Sequence, residues 1–171
     1  MSKRDLKKYL AELDKGQLEE QFIEMYDKFS QVKVYYDFVF NPKEEKLADE
    51  AKAKIANEYF PAKGKRPKLR RSTAQKYIKH FQVLGVDSFI IADVMLYNME
   101  TAQRYSLKKL NNPELFYKSI LNSFSQAIAY FIEKGILYEF VDRVKMVKDS
   151  TVAQKWNNKQ EFVSIVEQFD Y

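Results

Sequence analysis

The chain of 171 residues contains no cysteine, one histidine, four glycines and four prolines. The absence of cysteine excludes disulfides, thiolate catalysis, and zinc or iron–sulfur sites built on cysteine. The single histidine, His80, has no second histidine or cysteine with which to bind a metal, so we interpret it as a structural side chain. The scarcity of glycine and proline removes most chain breakers and favours long helices joined by short connections.

Sequence motifs of the commoner enzyme classes are also missing. The chain contains no G-x-x-x-x-G-K-[ST], G-x-G-x-x-G, G-x-S-x-G or H-E-x-x-H. We therefore expect a protein that is not an enzyme, and we predict no cofactor and no metal site. The charged N-terminus leads into no apolar run, and the most apolar segment, Phe89 to Met99, is interrupted by Asp93 and is too short to cross a bilayer. These features predict no membrane partner and a cytoplasmic location.

Apolar residues recur at three- and four-residue intervals along nearly the whole chain, which predicts an all-α fold. We predict a single compact domain over residues 1–171 with about eight or nine helices, arranged as an orthogonal bundle or a short solenoid-like array. The most apolar helices, over 88–108 and 113–134, should form the centre of the core. Residues 32–40 are locally ambiguous because valine and aromatic residues favour strand. We predict a helix there, since no second strand is available to pair with it.

Local signals indicate where several helices begin and end. Serine or aspartate before an apolar helix indicates an N-cap, and glycine after its last turn indicates a C-terminal stop. The predicted N-caps are Ser2, Ser72 and Asp87, of which Ser2 and Ser72 have the spacing of capping boxes with Asp5 and Gln75, and the predicted stops are Gly85 and Gly135. Asn41-Pro42 and Asn112-Pro113 each combine a cap with a proline at the first helical position, and they predict two more helix starts.

The positive charge of the chain is concentrated in one window. Eight basic side chains lie between residues 63 and 79, and no carboxylate lies between Glu58 and Asp87. Removing those eight from the 29 basic residues leaves 21 against 24 acidic residues, so the net charge of +5 arises from this window. Residues 61–71 are predicted to form a basic loop because glycine and two prolines resist helix there. Such a cluster on a mildly acidic body is typical of a docking surface for an anionic partner.

The basic loop leads into a predicted helix N-terminus, which is a favourable place for a phosphate. The phosphate would meet backbone N–H groups, the positive end of the helix dipole and guanidinium groups together. The candidate anion-binding residues are Lys65, Arg66, Lys68, Arg70, Arg71, Ser72, Lys76 and Lys79. We therefore predict a non-enzymatic binding module whose partner is nucleic acid, a nucleoprotein or another polyanion.

The alternative is a protein–protein interaction or scaffold domain with no nucleic-acid role, whose partner enters an aromatic groove. Aromatic residues flank the basic loop in sequence; next to positive charge they can stack nucleobases, but at these spacings they more often belong to a core. They are Tyr35, Tyr36, Phe38, Phe40, Tyr59 and Phe60. An exposed apolar patch would favour the alternative, and a basic face lined by the loop would favour nucleic acid. The sequence leaves the oligomeric state open.

A stripe of polar residues interrupts the most apolar helix. It consists of Asp93, Tyr97, Glu100 and Arg104, of which Glu100 and Arg104 are spaced for an ion pair within the helix. A carboxylate with a raised pKa in a pocket would be a candidate general base, whereas a polar network or a solvent-facing side is the commoner role of such a stripe. We expect the commoner role.

Four segments stand out as family signatures: Ser2 to Leu10, Tyr35 to Glu44, Glu58 to Pro61, and Arg70 to His80 followed by Leu84 to Asp87. In these segments the chain resembles an uncharacterised family of small bacterial proteins. The resemblance covers nearly the full length and implies a single bacterial domain that includes the basic loop. The family has no established activity, so the resemblance implies no catalytic or binding residues.

Overall fold

The computed structural model describes residues 2–109 and 112–169, and within them the chain forms nine α-helices and no strand. The all-α prediction is confirmed, and residues 32–40 are helical as expected. The helices are α1 (Lys3–Ala11), α2 (Lys15–Lys28), α3 (Ser30–Phe40), α4 (Glu44–Tyr59), α5 (Arg71–Leu84), α6 (Ser88–Lys108), α7 (Glu114–Lys134), α8 (Leu137–Ala153) and α9 (Lys159–Glu167).

The contacts of the chain group it into two compact units, Met1–Lys43 and Glu44–Tyr171. The first unit contains α1 to α3, and the second contains α4 to α9. That the whole chain behaves as one domain stays a prediction.

The second unit is built around α6, which packs against α4, α5, α7 and α8. Buried apolar side chains lie on several faces of α6, including Val94, Leu96 and Met99, which is why its sequence is apolar nearly all round. Helix α9 packs on α7 and α8, and the rings of Phe124 and Phe162 lie with their centroids 4.9 Å apart. The prediction that α6 and α7 contribute the centre of the core is confirmed.

The helix ends agree with the local signals in most places. Ser2 and Asp5 form a capping box, and the Asp87 carboxylate accepts a hydrogen bond from the backbone N–H of Phe89. Gly85 and Gly135 end their helices in the left-handed conformation that glycine adopts without strain. The two Asn-Pro signals predicted the helix starts slightly too early. Helix α4 begins two residues after Pro42, and α7 begins one residue after Pro113.

The first unit differs from the second because none of the residues in α1, α2 or α3 is buried. Helices α2 and α3 pack through the rings of Phe22 and Tyr36, whose centroids are 5.1 Å apart. The Tyr26 hydroxyl also donates a hydrogen bond to Asp37 across this pair. Helix α1 is joined to α2 by a hydrogen bond from Gln21 to Tyr9.

Candidate nucleic-acid interface

The basic loop connects α4 to α5 and folds back onto the end of α4. Residues 62–68 are exposed. The backbone N–H groups of Lys68 and Leu69 both donate to the carbonyl oxygen of Glu58, at 3.0 and 3.2 Å. These two bonds hold Leu69 in the left-handed conformation, at φ 55°, which is unfavourable by about 1–2 kcal/mol for a residue with a Cβ. The C-terminal end of the basic loop is therefore tied to α4, while its middle projects into solvent.

The carboxylate of Glu58 holds the start of α5. Glu58 is only 6% exposed, and its oxygens accept hydrogen bonds from Nε and Nη2 of Arg70, at 3.1 and 2.7 Å, and from the Thr73 hydroxyl at 3.0 Å. The hydrogen bonds from Arg70 lower the pKa of Glu58 below its usual value, although burial opposes the shift. Glu58 therefore remains charged, and an anion at a helix N-terminus interacts favourably with the helix dipole.

The prediction that Ser72 caps this helix is wrong. Helix α5 begins at Arg71, its N-cap residue Arg70 makes no side-chain cap hydrogen bond, and Ser72 lies exposed in the first turn. The helix starts one residue before Ser72, so Ser72 lies within the first turn. Glu58, from another helix, holds this helix start by accepting a long hydrogen bond of 3.4 Å from the backbone N–H of Arg70. The helix N-terminus that was predicted to bind a phosphate is therefore already occupied by the carboxylate of Glu58.

Arg71 also turns toward the interior of the second unit. Its Nε donates to the hydroxyl of Ser123 on α7 at 3.0 Å, and its Nη2 is buried without a hydrogen-bond partner. Arg70 and Arg71, both predicted to meet an anionic partner, are thus at least partly engaged within the unit. A signal for the first of these pairings was present in the sequence, because Glu58 is the last carboxylate before the basic window.

The other six basic residues of the window point outward. Each is exposed, and none of them forms an ion pair within the described part of the chain. They are Lys63, Lys65, Arg66, Lys68, Lys76 and Lys79. Most of the predicted cluster is therefore free to attract an anion from solution.

An open groove between α4 and α5 adjoins the root of the basic loop. Its volume is about 610 Å³, and its lining is mainly polar: Lys54, Asn57, Glu58, Arg70, Ser72, Thr73, Lys76 and Tyr77. Sequence analysis missed Lys54, although it lies four residues before Glu58 and so shares a face of α4 with it. The groove brings Lys54 beside the predicted residues Arg70, Ser72 and Lys76.

The aromatic residues near the basic loop are less buried than expected. Tyr59 belongs to the core and is 2% exposed, whereas Phe60 is 39% and Phe40 82% exposed. The ammonium group of Lys108 lies 5.2 Å from the ring centroid of Phe60. The core prediction thus holds for Tyr59, and Phe60 presents an accessible ring where the basic loop begins.

The polar stripe of α6 takes part in an ion network between helices. Arg143 on α8 contacts Asp93 through Nη1 at 2.7 Å and Glu100 through Nη2 at 2.9 Å, and Lys52 on α4 contacts Asp93 at 2.5 Å. Glu100 therefore pairs with Arg143, and the predicted pair with Arg104 is wrong. Burial raises the pKa of Asp93, but hydrogen bonds from Lys52 and Arg143 outweigh it and lower the pKa. This carboxylate is held ionised as part of the packing, not as a base with a raised pKa.

Comparison with known protein families identifies one whose model matches this chain. The model of a family of unknown function, DUF6155, matches residues 1–170. The chain belongs to this family. The match spans both units and the basic loop, so it confirms the resemblance over nearly the full length. No curated protein matches the chain, and no solved structure does.

The described residues of this DUF6155 chain contain neither a cluster of metal-ligating side chains nor a helix able to span a membrane. Among residues 2–109 and 112–169, no three histidine or acidic side chains lie close enough together to hold a metal ion. The helices within the same residues include none that combines the length and the apolar character needed to cross a bilayer. The basic loop and the groove beside it bring together most of the side chains predicted to bind an anion.

Proposed function

We propose that this DUF6155 protein is a non-enzymatic module that binds nucleic acid through the basic loop and the groove between α4 and α5. The observation that supports the proposal is the exposure of six basic side chains of one short window without acidic partners. Contacts with phosphates supply most of the affinity of non-specific nucleic-acid binding. A nucleoprotein that displays its phosphates would meet the same surface.

The arrangement of the basic groups suits a chain of phosphates. Lys65, Arg66 and Lys68 project from a loop whose root is fixed by Glu58. Lys76 lines the groove, and Lys79 lies three residues further on, on the same face of α5. The ring of Phe60 is partly exposed beside the ammonium group of Lys108, and an unpaired base can stack on an aromatic ring of this kind.

The test is a salt titration of binding to heterogeneous single-stranded RNA and double-stranded DNA, followed by fluorescence anisotropy. The variant Lys65→Glu/Arg66→Glu/Lys68→Glu leaves Arg70 and its pair with Glu58 intact. We expect this variant to bind more weakly. The slope of log K against log salt should also become shallower by about two to three, because each lost phosphate contact reduces the magnitude of the slope by about 0.7–0.9.

The matched control is Lys109→Glu/Lys118→Glu/Lys159→Glu, which changes the net charge equally at exposed positions outside the window. It should keep the slope of the wild-type protein. Undetectable binding at low salt, or equal losses in the two variants, would contradict the proposal. The ratio of absorbance at 260 and 280 nm after purification without nuclease gives an independent reading of co-purifying nucleic acid.

A protein-interaction role is the second candidate, and the exposed apolar side chains of α1 to α3 favour it. The two roles use different units of the chain and do not exclude each other. The bacterial origin and the cytoplasmic location expected from the sequence remain predictions.

A further inference from the structure

The first unit exposes an unusual amount of apolar surface. Twelve large apolar side chains of α1 to α3 and their junctions are more than a third exposed: Leu6, Tyr9, Leu10, Leu18, Phe22, Ile23, Met25, Phe29, Val34, Tyr35, Val39 and Phe40. A segment of about 40 residues seldom folds alone unless disulfides, metals or association with another chain stabilise it, and this chain has no cysteine. So many exposed apolar side chains in one short segment are typical of an interaction site.

The charges of α1 and α2 are opposite in sign. Helix α1 carries four basic residues, Lys3, Arg4, Lys7 and Lys8, against one acidic residue, Asp5. Helix α2 carries four acidic residues, Glu19, Glu20, Glu24 and Asp27, against Lys15 and Lys28. None of the four cations of α1 forms an ion pair with any described residue of the same chain, and neither Glu20 nor Asp27 does so.

We propose that the first unit binds a second copy of this chain as a two-fold dimer, with α1 of each copy against α2 of the other. A two-fold interface requires one surface that is complementary to itself. The first unit carries both a cationic helix and an acidic helix, so two copies can offer each other opposite charges. Within one copy, the hydrogen bond from Gln21 to Tyr9 joins α1 to α2. Leu6 and Leu10 of α1 are nevertheless more than a third exposed, so they are available to the partner copy.

The exposed area is sufficient for a stable dimer. Twelve large side chains at about half exposure present on the order of 1,000 Å² of apolar surface per copy. A specific protein–protein interface buries about 800 Å² on each partner. Because little more than half of such an interface is apolar, the second copy needs to cover only about half of this apolar surface.

Sedimentation velocity of the full chain over a range of micromolar concentrations tests the proposal directly. We expect a reversible monomer–dimer equilibrium in the wild-type protein. The variant Leu6→Gln/Ile23→Gln changes one exposed apolar side chain on each helix of the proposed pair. It should weaken the dimer about tenfold or more, because both side chains would lose their burial. The matched control, Val83→Gln/Leu115→Gln, alters side chains of the second unit that are 74% and 76% exposed, and it should leave the dissociation constant unchanged.

A charge exchange tests the pairing of α1 with α2. The variants Lys7→Glu/Lys8→Glu and Glu19→Lys/Glu20→Lys should each dimerise poorly, whereas their mixture should form heterodimers in which both helix pairs have opposite charges again. Recovery on mixing also shows that both variants are folded. A wild-type chain that stays monomeric would overturn the proposal, and a mixture that associates no better than its components would overturn the pairing. Neither result depends on nucleic-acid binding.

Discussion

Replacing Glu58 by glutamine removes the charge that fixes the root of the basic loop. Two charge-assisted hydrogen bonds to Arg70 would become neutral or be lost, and each such bond contributes about 1.5–3 kcal/mol. The lower end of that range applies because the Arg70 side chain is 54% exposed, so water partly replaces its partner. Glutamine has the same size and retains one acceptor. We therefore expect Glu58→Gln to lower the free energy of unfolding by about 2 kcal/mol.

The same substitution has a defined dependence on pH. The hydrogen bonds from Arg70 lower the pKa of Glu58 from its usual 4.5, so the unfolded chain takes up the proton at higher pH than the folded chain does. The stabilisation is then fully present above the unfolded pKa and is lost as the pH falls through the folded pKa. The unfolding curves of Glu58→Gln and wild type should differ at neutral pH and converge below about pH 4.5.

Urea unfolding followed by far-UV circular dichroism at a series of pH values measures both effects. The control is Glu50→Gln on the same helix, where the side chain is exposed and its ion pair with Lys46 is long, at 4.0 Å. We expect it to change stability by no more than about 0.5 kcal/mol. Equal stability of Glu58→Gln and wild type at neutral pH, or a difference that persists unchanged in acid, would refute the reasoning.

Two further substitutions test other parts of the second unit. Asp93→Asn leaves Lys52 and Arg143 facing a neutral amide, and urea unfolding should show a loss of about 1–2 kcal/mol; no loss would mean that the network contributes nothing to stability. Gly85 has φ 78° with open space around its Cα, so Gly85→Ala should destabilise by about 1 kcal/mol through backbone strain alone. Gly16→Ala, within α2, should cost less than Gly85→Ala, because it involves no left-handed backbone and its Cβ would only approach the capping oxygen of Asp14, at 3.3 Å; an equal loss at both glycines would contradict the explanation.

The parts of the fold that the sequence predicted depend on residues close together in the chain. Ser2 reaches the N–H of Asp5 within a single turn, and Gly85 ends α5 because no Cβ opposes its left-handed conformation. Residues 32–40 form a helix although their composition favours strand, because residues 2–109 and 112–169 supply no strand with which to pair. Such local rules need no knowledge of which helices meet.

The incorrect predictions involve partners that come from another helix. Spacing alone paired Glu100 with Arg104, but Arg143 on α8 presents two guanidinium nitrogens that contact Glu100 and Asp93 at once. A bidentate guanidinium is a stronger partner than a side chain one helical turn away. Likewise, the start of α5 is held by Glu58 of α4 and not by the predicted local cap, Ser72. Lys54 entered the candidate site only because α4 and α5 pack together.

The pair between Glu58 and Arg70 bears on the proposed function in two ways. It neutralises one of the eight basic groups of the window, and six others remain exposed, so the attraction for an anion is reduced but not cancelled. It also fixes the C-terminal end of the loop that carries Lys65, Arg66 and Lys68. A ligand site that is already ordered loses less conformational entropy on binding than a free loop does. The internal ion pair therefore supports the outward role of the remaining cations.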